Sequence, residues 1–238
     1  MSDLSESRSL EAAEDGRERR SEETREALIK AGLELFGDNG VQGTTSRMLA
    51  AAAQSNIAAI NYHFGSKEGL YLAVVTSIAE RMDQHFSGID RTDPALLDPS
   101  QLSATAAIQT FSKMVDHLAG LMVDSDEVRS WARIIVREQS KPTLAFDVLY
   151  RDRMEFHQKL LARLTGAALG TDPESAEIKI RVHALIGQVL AFATSRESLL
   201  RSLEVPRLSA AHCQLVRDIL REHVEACLSI SLPKPLSA

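Results

Sequence analysis

The stretch Gly43–Leu70, GTTSRMLAAAAQSNIAAINYHFGSKEGL, constrains this chain more than any other. It divides into two short helical patterns separated by a tight turn, then a third helix start. Thr44 and Thr45 supply hydroxyls suited to capping a helix N-terminus. The run Leu49–Ala53 then propagates a helix, because Ala loses no side-chain entropy there. Gln54-Ser55-Asn56 interrupts the apolar pattern, and Ser55 or Asn56 can cap the second helix. Ile57, Ile60 and Phe64 stand at i, i+3 and i+7 and predict one narrow buried face. The other face carries Ala58, Ala59, Asn61, Tyr62 and His63, which are small or end in hydrogen-bonding groups. A short helix of this kind fits a DNA major groove.

At these residues the chain resembles the TetR family of bacterial transcription regulators. Thr45, Leu49, Ala50, Ala53, Ile60, Tyr62, His63, Phe64, Lys67 and Leu70 fall in register with the family pattern, and the Tyr-His-Phe-x-x-Lys-x-x-Leu ending from Tyr62 to Leu70 is specific. Gln54, Ser55 and Asn56 replace the family's usual Gly, Val and Ser. Gly is favoured at the first of these because it tolerates φ > 0, so Gln54 bears on the turn's backbone.

The resemblance implies a DNA-contacting set of Thr44, Thr45, Arg47, Ser55, Asn56, Ala58, Ala59, Asn61, Tyr62, His63 and Lys67. Thr44, Thr45 and Arg47 sit where a helix N-terminus can hold a phosphate. Lys67 falls in a first helical turn, where a cation is disfavoured, and so points to an external anion such as a phosphate. Asn56, Ala58, Ala59 and Asn61 are the candidates for base edges and thymine methyls.

A net charge of -6 looks wrong for a DNA binder, but placement matters more than the total. Arg47 and Lys67 are the only charged residues between Gly43 and Lys67. Hydrophobic residues make up 44% of the 238, enough for a sizeable core, while aromatic residues reach only 5% and helix formers dominate. No alternating β-branched run argues for a sheet, and the expected fold class is all-α. Two cysteines, Cys213 and Cys227, cannot form a disulfide framework. The N-terminus lacks a signal-peptide pattern, and no segment has the length of apolar residues that a membrane span needs. A cytoplasmic, membrane-free protein is expected.

Residues 1–20 are polar and predict a mobile arm, with Arg17, Arg19 and Arg20 able to reach a minor groove. Residues 21–88 predict the helix-turn-helix domain: a first helix from about Glu22 to Gly37, the two DNA-facing helices, and a linking helix from Ser66 to about Ser87. The Pro-containing segment Asp90–Pro99 marks the boundary. Residues 89–238 predict a larger helical domain, with helices near Gln101–Val123, Asp126–Gln139, Pro142–Leu169, Pro173–Leu203 and Ser209–Ile230 and a loose tail from Pro233.

Within that domain, REQSKPTLAFDVLY, ALGTDPES and IGQVLAFATSRESLLRSL resemble the C-terminal domain of the CecR-like branch of the same family. The resemblance implies a homodimeric repressor on a palindromic operator, released by a small-molecule effector, often at transport or efflux genes. Phe111, Met114, Trp131, Ile135, Phe146, Tyr150, His183, Gln188 and Phe192 are the candidate effector-binding residues, since apolar walls with a few polar tips make a pocket. Arg133, Arg137 and Arg196 are expected to pair with Glu138, Asp147 or Glu197, the alternative being contact with an anionic effector. Val182, Ile186, Gly187, Ala191, Leu215 and Ile219 are the candidate dimer interface, on helices that the family pairs across a symmetry axis.

No cofactor or metal is expected, and no catalytic motif such as H-E-x-x-H or G-x-S-x-G occurs. Two other functions compete. One is a helical protein-interaction module that has lost DNA binding, favoured by Gln54, Ser55 and Asn56. The other is a helical metalloenzyme using His212, Cys213, His223 and Cys227, whose spacing is irregular for a zinc site.

Overall fold

A computed structural model describes residues 3–85 and 101–230. Every regular element among them is helical. The chain forms two compact units, Met1–Ile78 and Ala79–Ala238. The expected boundary segment Asp90–Pro99 and the tail from Pro233 lie outside the described residues.

The first unit holds α1 (Asp3–Gly43), α2 (Ser46–Ala52), α3 (Ile57–Phe64) and the start of α4 (Lys67–His85). Helix α1 begins at Asp3, where the sequence predicts an arm before a helix at Glu22. Arg19 and Glu23 form an i,i+4 pair, the kind of contact that supports a solvated helix. At its far end α1 breaks at Gly40, with φ 70°, rather than at Gly37. Leu28, Ala31 and Phe36 of α1, Leu49 of α2, Ile60 of α3 and Leu70, Val74 and Ile78 of α4 form the core. Ile57 does not join it: this residue is 44% exposed, so α3 seats on Ile60 alone among its fully buried side chains.

The second unit continues with α5 (Ala104–Asp124), α6 (Asp126–Ser140), α7 (Leu144–Leu149), a π-helical turn (Tyr150–Met154), α8 (Glu155–Leu169), α9 (Ala176–Thr194), α10 (Arg196–Ser202) and α11 (Ala210–Ser229). Helix α5 is the hub, packed against α6, α8, α9 and α11. It buries Ala107, Phe111, Met114, Val115, Ala119 and Met122 at helical spacing. Helix α11 buries Cys213, Val216, Leu220, Val224 and Leu228 in return. Arg217 of α11 donates from Nε to the Asp116 carboxylate of α5 at 3.0 Å and from Nη2 at 2.5 Å, fixing their register. Ser103, Ser125, Ser175 and Ser209 cap α5, α6, α9 and α11, each accepting a bond from a first-turn N–H. The segments expected as single helices at Pro142–Leu169 and Pro173–Leu203 are interrupted, by the π turn and by a break at Ser195.

Candidate DNA-binding head and effector cavity

The reading turn is built without glycine. Gln54 adopts φ 50°, the left-handed conformation that the motif requires. Its N–H donates to Ala51 O at 3.2 Å and that of Ser55 to Ala50 O at 2.9 Å. These two bonds satisfy the end of α2 as a glycine C-terminus would, at the cost of a Cβ in a crowded region of backbone space. Thr45 caps α2, its hydroxyl accepting from Met48 N at 3.2 Å. Asn56 caps α3, Oδ1 accepting from Ala59 N at 2.8 Å. The cap uses only the carbonyl side of the amide, leaving the Nδ2 donors for another acceptor. The Ser55 Oγ is buried in the turn with no hydrogen-bond partner.

Thr45, Arg47, Asn56, Ala58, Asn61 and Tyr62 are exposed, Tyr62 by 80%. Ser55, Ala59 and His63 are half-buried. His63 makes an edge contact with Tyr62, ring centroids 4.9 Å apart. No carboxylate lies between Gly43 and Lys67 in the sequence, so these two helices bring no like charge of their own to a phosphate backbone. The cap of α3 at its other end is Gly65, φ 75°. The chain then turns so tightly that a Cβ on Gly69 would stand 2.0 Å from the Phe64 carbonyl oxygen.

Two residues expected at the phosphates face inward instead. Thr44 is fully buried, its hydroxyl within hydrogen-bond reach of Gly40 O at 2.7 Å and Leu35 O at 3.0 Å. The Lys67 ammonium donates to Val41 O at 2.8 Å and Thr44 O at 3.0 Å, and its side chain is only 20% exposed. The partial negative charge that offsets a lysine at the start of α4 is therefore internal, with the Glu68 carboxylate 3.9 Å away. It comes from the Val41 carbonyl in the last turn of α1, where the helix dipole is negative, and from the Thr44 carbonyl just beyond it. Sequence shows the awkward cation; only the fold brings Val41 within its reach.

In the second unit, a cavity of about 510 Å³ opens among α5 to α9, with Met82 of α4 on its wall. Met82, Met114, Met122 and Met154 line it, four of the chain's six methionines. Met side chains are flexible and polarisable and adapt to irregular ligands. Of the expected effector residues, Met114, Ile135, Phe146, Tyr150 and His183 reach the cavity. Phe146 and Tyr150 stack with centroids 5.8 Å apart. The π turn starts at Tyr150 and ends at Met154, both on the wall, in keeping with the frequent use of such turns at functional sites.

The other expected residues do not line it. Phe111 is fully buried core of α5. Trp131 borders a separate hollow of about 30 Å³ that shares Met82, Leu118, Met122 and Ile135 with the cavity. Gln188 Oε1 accepts from His223 Nδ1, 2.9 Å away, and Phe192 is half-buried elsewhere on α9. Periodicity marks these residues as inward-facing, but which inward face borders a void depends on neighbouring helices. Sequence reading missed Met122, Met154, His157, Gln158 and Lys179; the shared turn spacing of Tyr150, Met154, His157 and Leu161 was the available signal.

The acids and arginines of α6 and α7 also make local contacts. Glu138 is buried and accepts from Thr143 N and Oγ1, at 3.0 and 2.8 Å, while Asp147 pairs with Arg151 at 3.4 Å. Arg133 donates to Ser130 Oγ at 3.0 Å, and Arg137 is exposed. Burial, and then the charges of Arg196 and Arg133, push the Arg129 guanidinium below its ordinary value.

The family model for the N-terminal domain of the TetR bacterial regulatory proteins matches residues 28–74, the helices of the head. The model for the C-terminal domain of the HTH-type transcriptional dual regulator CecR matches residues 107–229, more than half of the chain. The chain belongs to the TetR family of bacterial transcription regulators. Its similarity to CecR of Shigella flexneri is 31% identity over 209 residues, 88% of this chain and 93% of that one. The regulator TcmR of Streptomyces glaucescens is 27% identical over 186 residues, covering 78% of this chain and 77% of its own. Among solved structures, AibR in complex with isovaleryl coenzyme A and operator DNA superposes with TM-score 0.61 at 13% identity, over 84% of this chain and 97% of that one. This last likeness is one of fold.

As a TetR-family member the protein is a DNA-binding regulator and not an enzyme. Among the described residues, no three His, Cys, Asp or Glu side chains gather to hold a metal ion. His212 serves the capping box of α11, its Nδ1 accepting from Ser209 N at 3.2 Å, and Cys213 is buried while Cys227 is exposed. No described helix is long and apolar enough to cross a membrane. Of the expected dimer residues, Gly187, Ala191, Leu215 and Ile219 are exposed. Val182 is buried and Ile186 half-buried, and both line the chain's own cavity. Ile180, 68% exposed, and Ala184 join Ala191, Leu215 and Ile219 in the exposed apolar surface of α9 and α11.

Proposed function

We propose that this TetR-family protein is a homodimeric repressor that leaves a palindromic operator when a small molecule fills the cavity of its second unit. The observation that carries the proposal is that cavity. A space of about 510 Å³ walled by methionines and two stacked aromatic rings is within the usual size of a small-molecule site. Helix α4 supplies Leu70 to the core of the head and Met82 to the cavity wall, so one helix belongs to both. An effector that binds the DNA-free conformation better shifts the population away from DNA, with a coupling of about 1–3 kcal/mol.

The direct DNA contacts in this proposal are Thr45, Arg47, Asn56, Ala58, Asn61, Tyr62 and His63, with Ala59 and Ser55 at the edge. Thr44 and Lys67 hold the head together. The dimer joins α9 and α11 of each protomer through Ile180, Ala184, Ala191, Leu215 and Ile219, and works in the cytoplasm, where its operator lies. Family resemblance favours transport or efflux genes as targets.

Promoter DNA from beside the protein's own gene tests the proposal. Specific, salt-dependent binding is expected, and a compound that releases it should fail on Ala162→Phe, which fills the cavity from α8 while leaving the head unaltered. A protein without salt-dependent DNA binding would instead be a helical interaction module.

A further inference from the structure

The chain carries 33 acidic and 27 basic residues, yet no Asp or Glu lines the cavity. Its polar lining consists of Gln139, Tyr150, His157, Gln158, Lys179 and His183. Three of these can carry positive charge, and the wall holds no carboxylate. In a chain of net charge -6, such a wall is a biased selection.

The bias also has a direction. Helices α8 and α9 are consecutive, joined by the short segment 170–175, and packed together, so they run antiparallel. Lys179 and His183 lie one turn apart near the connected end of this pair. Tyr150, Met154 and Leu190 lie toward the other end, where Phe146 stacks on Tyr150 and where His157 and Gln158 of the first turn of α8 also lie. The cavity thus has Lys179 and His183 at one end and the stacked aromatic rings, with His157 and Gln158, at the other. Lys179 pairs with Glu174 at 2.8 Å, both side chains more than half exposed. Such a surface pair contributes little, and a ligand anion can take the carboxylate's place on the ammonium. A ligand cation would find no carboxylate on the wall, and only the ring faces of Phe146 and Tyr150 would favour it.

We infer that the effector is an amphipathic anion, an apolar body ending in a carboxylate, with Lys179 receiving the carboxylate and His183 adding a second donor. The inference rests on the cavity being the effector site.

Decanoate, decanol and decyltrimethylammonium share one apolar chain and differ in the head group. Their binding to the intact protein, measured by calorimetry below micelle-forming concentration, separates the contributions of chain and charge. Decanoate is expected to bind about tenfold more tightly than decanol, the worth of one charge-assisted hydrogen bond. Lys179→Gln should bring decanoate to within about twofold of decanol without changing decanol itself, and Lys179→Arg should keep the preference. Ala162→Phe should weaken all three. Equal binding of decanol, or tighter binding of the ammonium compound, overturns the charge assignment and leaves the cavity as an effector site. Absence of binding by all three overturns both.

Discussion

Replacing Lys67 with methionine separates two roles that the family pattern alone leaves merged. Its ammonium bonds to two backbone carbonyls, at 2.8 and 3.0 Å, from a side chain 20% exposed. A hydrogen bond to a charged group is worth about 1.5–3 kcal/mol. Both bonds here come from one ammonium with some water contact, so their sum is about 2–3 kcal/mol. Methionine keeps the length and the apolar stem but leaves Val41 O and Thr44 O without that donor. For a chain of this size the loss corresponds to a fall in melting temperature of roughly 4–12 °C, at about 2–4 °C per kcal/mol. Urea unfolding followed by circular dichroism gives the energy, and hydrogen exchange at α2 and α3 amides locates it in the head. Operator affinity should fall because the head is loosened, with its salt dependence unchanged. A lysine that gripped DNA phosphate would do the reverse, keeping the urea midpoint and lowering the salt slope by about one. That result would refute the internal role.

Gln54→Gly should stabilise the protein by about 1 kcal/mol, seen as a higher urea midpoint, because it removes a Cβ from a left-handed position; a destabilised variant would mean that the turn does not hold φ near 50°. Asn61→Ala should cost about 1–3 kcal/mol on the operator and relax preference at one position per half-site, whereas uniform loss across all sequences would make it a backbone contact. Leu215→Arg with Ile219→Arg should give a monomer by sedimentation, with an unchanged fold and weak operator binding; a dimer of full strength would place the interface elsewhere. The bonds from Arg217, opposed by burial and aided by the charges of Arg217, Arg221 and His117, hold the Asp116 carboxyl below its ordinary value of 3.8. A lowered folded-state value means stability that is full above 3.8 and lost as pH falls through the lower value, so Arg217→Gln should cost up to about 1 kcal/mol at neutral pH and almost nothing under strong acid.

Much of the fold was legible because it is written in local chemistry. The Ala-rich run before Gln54, the cap at Asn56, the Gly170 stop and the apolar spacing of Leu70, Val74 and Ile78 each depend on neighbours a turn or two away. Those features determine where helices start and end and which stripe turns inward, and with the spacing of Tyr62, His63, Phe64 and Lys67 they were enough to point to the family. Gln54 shows the limit in one direction: its residue type argues against the turn, yet the hydrogen bonds of Ser55 and Gln54 itself hold the backbone there.

What tertiary structure alone decided is how inward-facing residues divide among core, cavity and clip. Phe111 and Met114 lie one turn apart on α5, and only Met114 reaches the cavity, because the helices across from them leave space at one level and not at the other. Trp131 and Ile135 divide in the same way on α6. Thr44 and Lys67 look like surface groups by type and become the partners of carbonyls at the end of α1, in the case of Lys67 a carbonyl 26 residues away. Helical periodicity repeats every few residues and so is present in sequence. A void, or a cation seated on a distant helix end, is a property of the gap between elements, set by packing between parts of the chain that sequence does not place side by side.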